Sequence, residues 1–222
     1  MRNKFHIYIR LCLVLTILFP VLSFAQTESQ PKLIGIGIKS GATYSNLIFG
    51  IPIQEIKSSF IPSYGLIFSY IDKKTVGIQI EINYLTKSWE ENPIADYIFE
   101  ATLNYIEIPM LTTLHFGNRF KFLVNFGPHL SILLNEDSSH NIAQESDIYP
   151  IYKERIPRNA DFGMTGGAGF RLQTKIGLFQ TEARYTYGFQ NLYDSKKSNL
   201  DSNNMQTISV SVSYQFLFTN SR

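Results

Sequence analysis

The sequence is poor in cysteine, in charge and, beyond its first 25 residues, in long apolar runs. Its one cysteine, Cys12, lies in a segment that we expect to be removed, so the mature chain would have no disulfide and no cysteine metal site. Charged residues make up 17% of the chain, below the usual value of about 25%. No later stretch approaches the roughly 18 consecutive apolar residues of a membrane-spanning helix. A disulfide scaffold and a helical membrane protein are therefore both excluded.

The N-terminus has the organisation of a secretory signal peptide. A basic start precedes the apolar run "LCLVLTILFPVL" at 11–22, and small residues in "SFA" at 23–25 follow it. We predict export through the general secretory pathway, with cleavage after Ala25. The alternative is an N-terminal membrane anchor, but the apolar run is short beside the roughly 20 residues that a span requires.

Removal of residues 1–25 also changes the charge of the chain. It takes away three bases, so the 20 basic residues fall to 17 while the 18 acidic residues remain, and the net charge goes from +2 to −1. The apparent basicity belongs to the targeting segment, and we expect no nucleic-acid partner.

Alternating apolar and polar residues predict β-strands along the rest of the chain. In "TISVSVSYQF" at 207–216, isoleucine, valine and aromatic residues occupy one face, while serine and glutamine occupy the other. The stretches at 75–84 and 179–189 repeat this pattern. Weaker versions lie at 33–43, 60–71, 101–117, 119–134 and 160–175, which makes eight strands.

The connections between these strands alternate in length. Those at 72–74, 117–119 and 175–177 are tight, and those at 44–59, 89–100, 135–159 and 190–204 are long and polar. This rhythm predicts an all-β, eight-stranded antiparallel up-and-down transmembrane barrel with short periplasmic turns and four longer external loops. The predicted parts are a signal peptide at 1–25, a periplasmic segment at 26–32, the barrel at 33–218 and a tail at 219–222.

A soluble eight-stranded barrel of the lipocalin kind is the alternative, and side-chain volume argues against it. The strands carry about 40 large apolar residues on one face, whereas the interior of an eight-stranded barrel is only just filled by side chains. The opposite face is rich in glycine, serine and threonine, which fit such an interior. The large residues must then point outward into lipid, and we expect the outer membrane as the location.

The strand "LNYIEIPML" at 103–111 places Glu107 and Pro109 on the inward face. We expect a β-bulge to absorb the missing N–H of Pro109. Alternation turns further charged residues inward, and the predicted set is Lys39, Glu81, Glu107, Arg171, Glu182 and Arg184. Three bases and three acids favour a salt-bridged, closed lumen. The alternative is a gated proton or solute path.

Six short stretches in a set order resemble the PorT-type outer-membrane β-barrel family of Gram-negative bacteria. They are "IKSGATYSNL" at 38–47, "EINYLTKS" at 81–88, "LNYIEIPML", "NFGPHLSILL" at 125–134, "DFGMTGGAGF" at 161–170 and "ARYTYGFQNL" at 183–192. The resemblance covers most of the mature chain. It implies an eight-stranded barrel, no known enzymatic activity for most members, and, in one branch, a link to protein secretion across the outer membrane.

Other candidate sites give weaker signals. His129 and Ser131 have the H-x-S spacing of outer-membrane lipid A deacylases, although the expected register turns both inward, away from lipid. Acidic residues in the 135–159 connection would suit a divalent cation, but they lack calcium-loop spacing. The glycines of 163–170 lie within a strand, which disfavours a phosphate cradle. We therefore predict no catalytic residue, no metal and no cofactor.

Taken together, these patterns predict a non-enzymatic, monomeric barrel of the cell envelope that displays its loops to ligands or partners. Its expected partners are outer-membrane lipid and other envelope or secretion proteins. A subunit of an outer-membrane secretion or assembly machine is the main alternative, and a lipid-modifying esterase or a small pore is more remote.

Overall fold

The computed structural model of the chain describes residues 32–49, 56–71, 75–94, 97–140, 159–191 and 203–220. The predicted signal peptide lies outside them. The described residues form nine strands: β1 Lys32–Phe49, β2 Ile56–Ser58, β3 Ile61–Ile71, β4 Val76–Ile94, β5 Tyr97–Gly117, β6 Phe120–His140, β7 Ala160–Gln173, β8 Leu178–Asn191 and β9 Asn203–Asn220. No helix in this part of the chain is long and apolar enough to span a membrane.

The strands form one closed antiparallel barrel with eight positions around its wall. β1 pairs with β3 and with β9, β3 pairs with β4, and from β4 to β9 each strand pairs with the next one, which completes the ring. The short β2 pairs with β4 beyond the end of β3, so the two occupy a single position in the wall. The predicted eight-stranded antiparallel barrel is confirmed.

Several strands run further than the sequence pattern predicts, and they do so mainly at the end with the long connections. The predicted long connection at 89–100 is wrong, because β4 and β5 remain paired up to Ile94 and Tyr97. Glu90, Glu91 and Pro93 made this segment look like a polar loop. Pairing with the neighbouring strand prevails over their low β-propensity, and a register shift between Glu91 and Ile94 accommodates Pro93.

The opposite end of the barrel, called the turn end below, carries the tight connections. Gly117 ends β5 with a φ of 118°, a conformation that favours glycine. A Cβ at this position would lie 2.4 Å from the backbone oxygen of Phe120, so the turn into β6 depends on the missing side chain. The predicted turn at 72–74 lies outside the described residues.

Alternation along the strands divides the side chains between a polar interior and an apolar exterior. On β9, Val212 is 61% exposed, whereas Gln215 on the inward face is fully buried. On β4, Ile78 is exposed and Gln79 is fully buried. A continuous apolar exterior of this kind suits lipid and not water.

Pro109 does not create the bulge that we expected. The register of β5 against β6 is the same at Pro109 and at Thr112, and the bulge lies instead between Asn104 and Tyr105. Pairing with β4 is interrupted between Glu107 and Met110. The missing N–H of Pro109 is thus accommodated by a gap in one ladder and not by an extra residue.

Candidate functional site

The candidate site is a network of charged side chains that crosses the barrel lumen. Lys39 projects inward from β1, Glu81 from β4, and Glu182 and Arg184 from β8. The last two are two positions apart on one strand, so alternation sends both to the same side. The barrel brings together residues that are 42 to 143 positions apart in the sequence.

Both cations of this network contact both carboxylates. The Nζ of Lys39 lies 2.9 Å from Oε2 of Glu81 and 2.9 Å from Oε1 of Glu182. The Nη2 of Arg184 lies 2.6 Å from Oε1 of Glu81 and 2.6 Å from Oε1 of Glu182. Each of the four side chains is at most 9% exposed. Two positive and two negative charges therefore balance in a nearly dry space.

Side-chain amides donate to the remaining positions on the two carboxylates. Gln79 and Asn83 donate to Glu81 at 2.6 and 2.9 Å. Asn125 donates to Oε2 of Glu182 at 2.8 Å. Buried carboxylates are stable only when their lone pairs are satisfied, and these amides satisfy them. The charge network is thus embedded in a hydrogen-bonded shell.

Arg171 belongs to a neighbouring group and not to the ion-pair network. It donates to Gln180 at 2.8 Å and to Gln79 at 3.1 Å, and its Nη1 lies 2.8 Å from Nε2 of His115. No carboxylate among the described residues forms an ion pair with it. The inward charged residues therefore form two groups, the ion-pair network and the group around Arg171. Gln180 connects them, because it accepts from Arg171 and donates to Glu182 at 3.0 Å.

Glu107 is buried, but its nearest cation is one that the sequence analysis missed. Its Oε2 accepts a hydrogen bond from Ser131 at 3.2 Å and lies 4.0 Å from the Nζ of Lys87. Lys87 also lies 4.8 Å above the ring of Tyr105. The strand predicted to end at 84 continues to Ile94, so the alternation that turns Glu81 inward also turns Lys87 inward.

A small cavity lies between Glu107 and the ion-pair network. Its volume is about 20 Å³, which is room for roughly one water molecule. Glu107, Lys39 and Arg184 line this cavity, whereas Arg171 does not. The remaining wall is mostly hydroxyl groups and amides, contributed by Thr43, Ser63, Asn83, Thr186, Thr207, Ser209 and Ser211.

Apolar side chains fill the lumen on both sides of the charged groups. Leu85 and Tyr105 face each other across β4 and β5 toward the long connections. Leu111, Leu123 and Leu178 are almost fully buried toward the turn end. The interior is therefore packed along its length, as expected for eight strands.

His129 and Ser131 are both buried and inward, yet they do not hydrogen-bond to each other. Ser131 donates to Glu107. Neither ring nitrogen of His129 has a hydrogen-bond partner, and its neighbours in the register are Pro109 and Gly163. The pair therefore lacks the hydrogen bond between nucleophile and base that is typical of a catalytic dyad. Within the described ranges, no group of three histidine or carboxylate residues is placed to hold a metal.

An apolar exterior around a charge-filled, eight-stranded antiparallel interior defines a membrane β-barrel of the outer-membrane type. The chain matches the family model for the outer membrane protein beta-barrel domain over residues 24–194, and it belongs to that family. A comparison with curated proteins found no match.

Solved structures of outer-membrane barrels share this fold at low sequence identity. OprG from Pseudomonas aeruginosa is 14% identical, with 89% of this chain and 99% of that chain covered and a TM-score of 0.52. Outer Membrane Protein W of E. coli is 13% identical, with 86% and 100% covered and a TM-score of 0.46. The outer membrane enzyme PagL is 11% identical, with 79% and 97% covered and a TM-score of 0.41. At this level of identity, the similarity to OprG supports the fold alone.

Proposed function

We infer that this protein is a non-enzymatic barrel with a closed lumen, anchored in the outer membrane, which presents its long connections to ligands or partners. The observation that supports this role most directly is the balanced network of Lys39, Glu81, Glu182 and Arg184 across the lumen. It occupies the position that a solute would need, and both of its cations hold both carboxylates. Contacts with ligands or partners are then made by the connections between strands and not by the lumen.

The geometry around His129 argues against an esterase. Ser131 is engaged with Glu107, and both residues of the H-x-S pair are buried on the inward face. A lipid acyl group lies outside the wall, so neither side chain reaches such a substrate.

The motif series that resembles the PorT-type family supports a finer assignment within the outer-membrane barrels. In that family one branch is linked to protein secretion, so a subunit of a secretion or assembly machine is the second candidate role. Both roles place the functional contacts outside the barrel, and they differ in the partner.

Site-specific cross-linking from the two ends of the barrel tests the display role. Photo-crosslinkers are placed at Asp147 in a long connection and at Asn118 in a tight turn, in separate full-length variants. We expect cross-links to other envelope components from position 147 in intact cells. Cross-links from position 118 alone would contradict the proposal, and cross-links from 147 to secretion proteins would favour the machine subunit.

A further inference from the structure

The tight turns concentrate positive charge at one end of the barrel. The sequences at 72–74, 117–121 and 174–177 contain five basic residues and one acid, Asp72, and the bases are Lys73, Lys74, Arg119, Lys121 and Lys175. The connections at the opposite end contain both signs with an excess of acids. The turn end is therefore electropositive, although the net charge of the whole mature chain is close to zero.

Two of these cations lie on adjacent turns. Arg119 is in the turn between β5 and β6, and Lys175 is in the turn between β7 and β8. A backbone hydrogen bond from Gln173 to the oxygen of Arg119, at 3.1 Å, joins the two turns. Both basic side chains are exposed, and neither forms an ion pair with a residue that the structure describes.

Two more basic residues lie near this pair on β6 and β7, and both are buried. Lys121 on β6 is directly opposite Arg171 on β7 in the strand register, and like charges in that position repel. Arg171 has no carboxylate partner among the described residues. Its contact with Nε2 of His115 assigns the acceptor role to that nitrogen and the proton to Nδ1, which is buried without a partner. Among the described residues, this sector thus contains a buried guanidinium without a carboxylate partner and a buried ring N–H without an acceptor.

A cluster of aromatic side chains borders the same sector on the outer surface. Phe120 and Phe170 are stacked with ring centroids 5.2 Å apart, and Phe122 contacts Phe170 edge-on at 5.7 Å. All three rings are exposed. Aromatic residues of membrane barrels gather at the level of the lipid headgroups. Arg119 immediately precedes Phe120, so the cations lie at that level too.

We propose that the exposed side chains of Arg119 and Lys175, with the charge of the buried Arg171 nearby, bind the phosphate of an anionic lipid headgroup. Arginine and lysine are the residues that recognise phosphate, and cations beside a membrane attract anionic lipids. The aromatic border favours a lipid over a free phosphate ion as the source. This site is separate from the closed lumen and from the display role.

The test measures thermal stability of the full chain in lipid nanodiscs. Wild-type protein is compared in phosphatidylcholine discs, in discs that also contain phosphatidylglycerol, and in phosphatidylcholine discs with added inorganic phosphate. The double variant Arg119→Gln/Lys175→Gln removes the two exposed cations. The control Lys196→Gln/Lys197→Gln removes the same charge from a long connection at the other end.

We expect phosphatidylglycerol to raise the midpoint of unfolding of the wild type and of the control by about 2–4 °C. The Arg119→Gln/Lys175→Gln variant should lose this shift while keeping its midpoint in phosphatidylcholine. An equal shift in both variants would show diffuse attraction and overturn the site. Stabilisation of the wild type by inorganic phosphate alone would overturn the lipid assignment, and no shift in the wild type would overturn both.

Discussion

At the scale of single residues, the ion-pair network in the lumen depends on two carboxylates, Glu81 and Glu182, that each accept from several donors. Glu81 contacts Lys39 and Arg184 and also accepts from two amides. Removing one carboxylate charge from this buried network leaves its partner cations without full compensation. The resulting loss in free energy of unfolding is larger than the contribution of any single contact. The stability of the barrel should therefore depend on these residues far more than on surface charges.

We predict that Glu81→Gln lowers the free energy of unfolding by about 3–5 kcal/mol, because it leaves Lys39 and Arg184 with one carboxylate between them. Urea unfolding of the barrel in detergent, followed by fluorescence, measures the change. The control Asp147→Asn lies in a long connection and should change stability by less than about 0.5 kcal/mol. Equal stability of Glu81→Gln and the wild type would show that the network is not structural.

Glu107→Ala should cost less, about 1–3 kcal/mol, because Glu107 has one hydrogen bond and its cation is 4.0 Å away. The fold should be kept and the melting point lowered. The same urea titration ranks the two variants. A loss larger than that of Glu81→Gln would contradict the division of the lumen charges that the distances indicate.

At the scale of strands, alternation predicted which way side chains face but not where strands end. The patterns at 75–84 and 207–216 placed Glu81 and Ser213 inward as observed. The ends failed because pairing with a neighbour, and not local pattern, sustains β4 to Ile94. If the alternation had been extended from residue 84 to residue 87, it would have placed Lys87 on the inward face as well.

Contacts across the lumen were beyond local patterns. Arg171 and His115 meet although they are 56 residues apart, and their contact depends on the strand register around the ring. The sequence predicted that Lys39, Glu81, Glu182 and Arg184 all face inward, but not which cation would contact which carboxylate.

The seam between β1 and β9 allows a prediction about barrel closure. A Cβ at Gly37 would lie 1.8 Å from the backbone oxygen of Tyr214 on β9. We expect Gly37→Val to destabilise the folded barrel by about 1–3 kcal/mol or more through overpacking, and to reduce the heat-modifiable form on denaturing gels. Ser40→Val, which points outward on the same strand, should leave that form unchanged. Normal migration of Gly37→Val would contradict the close approach.

The orientation of the connections can be measured because the mature chain is expected to contain no cysteine. A cysteine in place of Asp147 should react with a membrane-impermeant maleimide in intact cells. A cysteine in place of Asn118 should react only after the outer membrane is permeabilised. Labelling of position 118 in intact cells would reverse the topology.

At the scale of the whole molecule, the distribution of polar and apolar side chains is the reverse of that in a soluble protein. The exterior of the barrel is apolar, and its interior holds the charges. Lipid is therefore the surrounding medium, and the cavity that Glu107 shares with Lys39 and Arg184 in the charge-balanced lumen measures about 20 Å³. We therefore expect the barrel to be closed to solutes.

Conductance of the purified full-length protein in planar lipid bilayers measures directly whether ions cross the lumen. We expect no steady conductance for the wild type, because ion pairs and apolar side chains occupy the lumen. Glu107→Ala should be equally silent, since it removes stability and not a barrier. Defined unitary steps in the wild type, with an ion selectivity that Glu107→Ala alters at unchanged stability, would show that Glu107 lines a path and that the lumen is open.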